Sequence, residues 1–214
     1  MNQPVNVQSL VRARPYTGPA ESLADDALDQ LFLGARTHNA FKPLAVPHEL
    51  LEQAVELAKM GPTAANSSPF RVVFVETPEA RERLKPALHA GNLDKTMSAP
   101  VTAILAYDLA FFEHMPKLFP QADARSWYVG NDALAEATAK QSGTLQAGYF
   151  LLALRALGLD AGPMGGFDNA KVDEEFFAGT KVRSNFLVNI GYGDHAKLYP
   201  RNPRLHLTEI ASFA

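Results

Sequence analysis

Residues 142–168, S-G-T-L-Q-A-G-Y-F-L-L-A-L-R-A-L-G-L-D-A-G-P-M-G-G-F-D, constrain the fold more than any other stretch. Between Leu145 and Leu157 the polar side chains are Gln146 and Arg155. A helix apolar on nearly every face belongs inside a core. Gly158 is suited to end that helix in the left-handed conformation, with Leu159 packing back on the last turn. Residues 161–166 carry almost no side-chain bulk, so backbone N–H groups there can approach a flat ligand. A rigid helix thus delivers a bare peptide edge to one place. On this stretch alone, a core helix followed by an ordinary glycine turn is the simpler account.

Around it the chain reads as helices, strand, helix, strand, long helix, strand, strand. Ser22 looks like an N-cap, and Leu23, Ala27, Leu28, Leu31 and Phe32 form a helical stripe ending at Gly34. A second helix is predicted over 49–60, stopped by Gly61 and Pro62. Strands are predicted over 70–75, 101–107 and 185–190, and a short one over 159–163. The second is apolar throughout, as for a strand buried on both faces. A helix is predicted over 78–90, with 91–97 as a connection. The long helix starts near Ala133, and a small one follows Asp168 as N-cap, running to about Phe177. Residues 108–132 are irregular and aromatic, suited to a satellite core or to a lid over a ligand. A helix-flanked sheet of few strands results, without a regular βαβ rhythm.

Composition excludes several kinds of chemistry. With 214 residues, one domain is the expectation, over 21–214, with 1–20 as a proline-containing N-terminal tail. A net charge of -3 gives no general attraction to nucleic acid or an anionic membrane. There is no cysteine, which removes disulfides, thiolate nucleophiles and cysteine-ligated metals. No apolar run approaches the roughly 20 residues a membrane helix needs, and no signal peptide is evident. A cytoplasmic protein is expected.

No nucleotide-binding glycine fingerprint, P-loop, nucleophile elbow or zinc-protease motif occurs. The six histidines are scattered, so no metal and no catalytic side chain is expected. What remains is a set of short segments: 36–39, 63–68, 92–95, 164–166 and the Arg201/Arg204 tail. Together they fit one ligand bearing a phosphate, a polyol and a planar heteroaromatic ring. Arginines grip a phosphate bidentately. Asparagine amides both donate to and accept from ring edges. A lysine offsets charge on a ring that gains an electron pair.

With those residues assembled, the chain resembles the FMN-dependent nitroreductase family. A-L-G-L-D-A-G-P-M-G-G-F-D is similar to the family's helix end and P-x-x-G-F-D loop. A-R-T-H-N-A-F at 35–41 is similar to its R-R-S-x-R-x-F phosphate motif, and P-T-A-A-N-S-S-P-F at 62–70 to P-S-S-x-N-x-Q-P-W. The likeness is nearest to a subgroup described as malonic semialdehyde reductases of pyrimidine catabolism.

The resemblance implies an α+β three-layer sandwich with a mixed central sheet, in an intertwined homodimer holding FMN at its interface. It implies an FMN-dependent NAD(P)H oxidoreductase with ping-pong hydride transfer, NADH or NADPH as co-substrate, and 3-oxopropanoate as a small-molecule acceptor. A nitroaromatic or quinone acceptor is the alternative, and a non-catalytic flavin-binding protein the alternative of another class. Arg36, Thr37, Arg201 and Arg204 would hold the phosphate, with His38 compensating for the family arginines that Ala35 and Asn39 replace. Asn92 and Lys95 would meet the pyrimidine. Met164, Gly165 and Gly166 would face the ring, and Asn66 and Ser68 would come from the opposite subunit. Arg125 and Arg183 are the candidates for an acceptor carboxylate, and Trp127 for the pocket wall.

Overall fold

Four strands form one sheet in the computed structural model, which describes residues 21–214; the predicted tail lies outside them. They are β1 (Phe70–Val75), β2 (Val101–Asp108), β3 (Asp160–Met164) and β4 (Val182–Gly191), ordered β1-β2-β4-β3. All three pairings are antiparallel. Among the described residues the parallel pairing that a mixed sheet implies comes down to a single bridge, Thr37 to Ala161. The register fixes two faces. Val101, Ala103 and Leu105 of β2 point into one core, and Ile104 and Ala106 into the other, the period-two alternation of a strand covered on both sides.

The first core is closed by α2 (His48–Ala58) and α6 (Asp132–Ala156). Leu51, Ala54 and Ala58 meet Ala147, Phe150 and Leu154 there. The second core is closed by α3 (Pro78–Leu84) and α7 (Asn169–Phe176), with Leu84, Phe167 and Val172 inside. A third cluster, including the single turn α5 (Met115–Leu118), holds Phe111, Met115, Tyr128, Ala135 and Ala139, so much of the aromatic segment is a satellite core. Helices on both faces of one sheet make the expected three-layer α+β sandwich.

Several predicted boundaries shift. Ser22 does not cap the first helix; α1 (Asp25–Leu28) begins after Ala24 and continues as a π turn, Asp29–Leu33. The predicted 78–90 helix ends at Leu84. Pro86 sits in the 3-10 turn Lys85–Ala87, and α4 (Ala90–Met97) replaces the predicted connection. Gly91 and Asn92 are poor helix formers, and tertiary hydrogen bonds from this segment override that preference. At the end of α6, Gly158 adopts φ +79° and Leu159 N–H donates to the Leu154 carbonyl at 2.9 Å.

The larger correction concerns α6 itself. Phe150 and Leu154 are fully buried, yet Leu134, Leu145 and Tyr149 are 43%, 46% and 40% exposed. One chain covers only one side of this apolar helix. The C-terminal segment is open too: Leu205, Leu207, Ile210 and Phe213 are all exposed, around the single turn α8 (Leu207–Ile210).

Candidate functional site

Parallel contact with β3 positions the first segment. Thr37 bridges Ala161, and the His38 N–H donates to the Ala161 carbonyl at 3.1 Å. This sets Arg36 and Thr37 beside the C-terminal segment. The Arg36 Nη2 donates to the Tyr199 carbonyl at 2.5 Å, and the Arg201 Nη2 to the Leu33 and Ala35 carbonyls at 2.7 and 3.1 Å. Arg204 donates to its neighbours' carbonyls, of Asn202 and Pro203. With Thr37, Asn39 and Arg155, these three arginines line a hollow of about 660 Å³. Among the described residues, Arg36, Arg201 and Arg204 have no carboxylate in ion-pair range, so the hollow is cationic and suits an anion.

A second hollow of about 490 Å³ shares Asn39 and Tyr199 with the first and is lined further by Gly91, Asp94, Lys95 and Ser98. The Lys95 Nζ donates to the Asn39 Oδ1 at 3.4 Å. Partial burial lowers the Lys95 pKa below its ordinary value, because desolvation penalises the ammonium. The segment supporting Lys95 is pinned from below by Asn189, which is fully buried in β4. Its amide donates to the Lys95 carbonyl at 3.2 Å and its Oδ1 accepts from the Thr102 hydroxyl at 2.8 Å. Asn189 escaped the sequence reading. Its signal was a lone amide within the apolar run Phe186-Leu187-Val188-Asn189-Ile190.

Asn92 lies one turn before Lys95 on α4 and holds the glycine loop. Its Nδ2 donates to the Gly166 carbonyl at 2.8 Å, and the His89 N–H donates to the same oxygen at 3.2 Å. A Cβ on Gly166 would collide with the Asn92 amide, whereas one on Gly165 would meet open space. Gly165 is exposed and Gly166 partly so, which leaves a bare peptide edge beside the Lys95 helix.

Two predicted contacts face elsewhere. Met164 is buried, and its sulfur accepts from the Thr96 hydroxyl at 3.4 Å, so its side chain packs in the core. His38 is only 1% exposed and turns away from the arginine hollow toward Asp160 and His195. It does not make up the missing cationic charge. Burial lowers its pKa, and the nearby Asp160 carboxylate opposes the shift.

Asn66 and Ser68 are not brought to the site within one chain. They precede β1, at one edge of the sheet, while Thr37 lies beside β3, at the other. Ala65, Asn66 and Ser68 all have positive φ, at 47°, 54° and 44°. The bend is held by the Asn66 amide donating to the Leu118 carbonyl at 2.8 Å and by the Ser68 N–H donating to the Thr63 hydroxyl at 3.1 Å. Non-glycine residues in this region carry strain that surrounding contacts must offset.

Of the candidate acceptor arginines, Arg125 is taken by a two-point pair with Glu113 at 2.7 and 2.9 Å. Arg183 lies 3.9 Å from Asp173. Trp127 is half-exposed and packs edge-on against Phe119.

Comparison with known proteins identifies the family. The profile of the nitroreductase family matches residues 33–192. A Burkholderia lata protein, provisionally named an NADH dehydrogenase/NAD(P)H nitroreductase, is 63% identical over 190 residues, 89% of this chain and 97% of that one. A Stenotrophomonas maltophilia protein with the same kind of name is 58% identical over 188 residues, 88% of this chain and 96% of its own. Among solved structures, a provisionally named nitroreductase of Bacillus subtilis superposes with a TM-score of 0.80 at 21% identity, covering 88% of this chain and 99% of its own. A similarly named protein of Exiguobacterium sibiricum, solved in complex with FMN, gives 0.78 at 18% identity, covering 91% and 100%. With three-quarters of its length inside one family profile and close relatives along nearly all of it, the chain belongs to the nitroreductase family.

Proposed function

We propose that the protein is an FMN-dependent NAD(P)H oxidoreductase acting as a homodimer. One observation carries the reading: the arginine hollow shares Asn39 and Tyr199 with the hollow that holds Lys95. A ligand with an anionic tail and a polarisable ring fits that order of groups, and the residues present fit FMN. Arg36, Thr37, Arg201 and Arg204 would hold its phosphate. Lys95 and Asn39 would meet its ring edge. Bound FMN supplies the hydride chemistry, which explains why no catalytic side chain is needed. A close relative's provisional name and the FMN complex of a structural relative support this reading.

The protein's own groups then do three things. The arginines anchor, and their donors are pre-aligned by backbone carbonyls. Lys95 places a partly desolvated positive charge where it is worth more than in water. Asn92 fixes the Gly166 peptide so that the exposed Gly165 edge is rigid. The uncovered face of α6, with Leu145 and Tyr149, and the open apolar tail support a second copy of the chain as the missing cover. That copy would also bring Asn66 and Ser68 to the site. Among the described residues no helix is long and apolar enough to cross a membrane, and a cytoplasmic place is part of the proposal.

The finer reading is reduction of 3-oxopropanoate to the hydroxy acid, with a nitroaromatic or quinone as the alternative acceptor. It rests on the A-R-T-H-N segment and the P-M-G-G-F-D loop, both similar to that subgroup's. Arg125 gives it no support, being occupied by Glu113. The deciding experiment is anaerobic mixing of the FMN-loaded protein with NADH or NADPH, followed by a panel of acceptors. Rapid loss of the yellow absorbance supports the oxidoreductase. Tight FMN that neither nicotinamide reduces leaves only a flavin-binding protein.

A further inference from the structure

Behind the arginine hollow, three side chains from distant parts of the sequence meet. His38 follows Thr37, Asp160 opens β3, and His195 lies just past β4. One donor atom from each lies within 4.8 Å of the others. His38 is 1% exposed, and neither of its ring nitrogens makes an aligned hydrogen bond. A buried imidazole in that condition is costly unless something else satisfies it.

The geometry around it is specific. The His38 Nε2 faces the Asp160 Oδ1 at 3.2 Å. The other carboxylate oxygen, Oδ2, accepts from the Gly193 N–H at 2.8 Å, which aims Oδ1 at the imidazole. The His195 ring stands edge-on to that of His38, with centroids 5.0 Å apart. A Cβ on Gly193 would collide with the His38 ring, and one on Gly162 with its carbonyl, so the backbone closes tightly around this group. An imidazole nitrogen and a carboxylate oxygen at this distance are held together by a cation or a proton between them. Tetrahedral zinc, with bonds of about 2.0–2.1 Å, holds its donors roughly 3.4 Å apart. The His38–Asp160 separation already matches one such edge. His195 is exposed, and its donor, within 4.8 Å of the other two, is free to swing in and complete a second and third.

We propose that His38, Asp160 and His195 form a site for a zinc-class divalent cation, with three protein ligands and the fourth position open to solvent. The metal requires the neutral imidazole, and both His38 ring nitrogens are free of aligned hydrogen bonds. The Gly193 N–H on Asp160 is the outer contact that orients a ligating carboxylate. Asp194 adds negative charge nearby, while Arg36 and Arg155 oppose it. The ion would clip three segments already laced together: the Asp194 N–H donates to the Ala40 carbonyl at 3.0 Å, and the Lys42 N–H to the Tyr192 carbonyl at 2.7 Å. Its role is structural, steadying the segment that carries Arg36 and Thr37.

The test uses tag-free full-length protein, stripped with a chelator and titrated with Zn²⁺ and then Co²⁺. The expected result is about one ion per chain, a rise in melting temperature on zinc addition, and the intense visible bands of four-coordinate cobalt. His195→Ala, at an exposed position, should keep the fold and weaken binding by ~100-fold or more; Asp160→Asn should do the same. His206→Ala is the surface control and should bind as the parent does. Absence of binding, or binding that His195→Ala leaves intact, overturns the proposal and leaves a metal-free histidine–aspartate contact. Because the readouts are stoichiometry, spectrum and melting, they do not depend on whether FMN is reduced.

Discussion

The Asn92 Nδ2 donates to the Gly166 carbonyl at 2.8 Å across 74 residues of sequence, and a side chain on Gly166 would strike that amide. The loop and α4 are therefore one unit. Gly166→Ala is expected to lower unfolding free energy by about 1–3 kcal/mol, through the displaced hydrogen bond and the clash. Gly165→Ala, facing open space, should stay near the parent. Urea denaturation of both variants checks the contrast, and equal losses would break the link to Asn92.

Arg36 is held by the Tyr199 carbonyl with no carboxylate partner among the described residues. A charged hydrogen bond is worth about 1.5–3 kcal/mol. Arg36→Ala is thus expected to weaken FMN by roughly 10–100-fold while leaving riboflavin, which lacks the phosphate, unchanged. Fluorescence titration with both flavins measures this. Equal weakening would move Arg36 away from the phosphate.

Burial holds the Lys95 ammonium below its ordinary pKa of 10.5. Between the folded and unfolded values the unfolded chain binds more protons, so stability rises with pH across that window. Lys95→Met should therefore stabilise the flavin-free protein at neutral pH, by an amount that shrinks as pH approaches 10.5. The same change should weaken FMN and lower its reduction potential, since a positive charge favours the reduced anion. Melting curves across pH and a spectroelectrochemical titration test the two halves separately. A stability gain independent of pH would point to packing instead.

Leu145 and Tyr149 stand exposed on the long helix. Leu145→Glu puts a charge on that face without disturbing the core beneath. It is expected to shift the protein from dimer to monomer in light scattering after size exclusion. A variant that stays dimeric would place the subunit contact elsewhere.

Trp127 is half-exposed against Phe119. Trp127→Ala should change the KM for at least one acceptor without altering FMN affinity. Steady-state kinetics over an acceptor panel checks this; identical constants throughout would remove it from the pocket.

Most of the architecture was readable because its signals are local. The largely apolar run of β2, the turn at Gly158 and the Asp168 cap each act over a few residues. The Asp168 carboxylate does accept from the Lys171 N–H, at 3.2 Å. What escaped reading was set by contacts between distant segments. Residues 91–97 fold as helix because Asn92 and Asn189 tie them to the loop and the sheet, which no window around Gly91 reveals. Scattered histidines gave no hint that His38 and His195 share one pocket, since 157 positions separate them. The apolar character of α6 was plain, but a sequence does not say whether the far side meets its own chain or another.

Thr37 leans on one rim of the sheet and Asn66 on the opposite rim, so on the proposed reading a ligand they share would need two polypeptides. Retention of the coloured group would then depend on protein concentration. Dilution alone should bleed it into solution, and freshly synthesised chains would stay pale until they meet a twin.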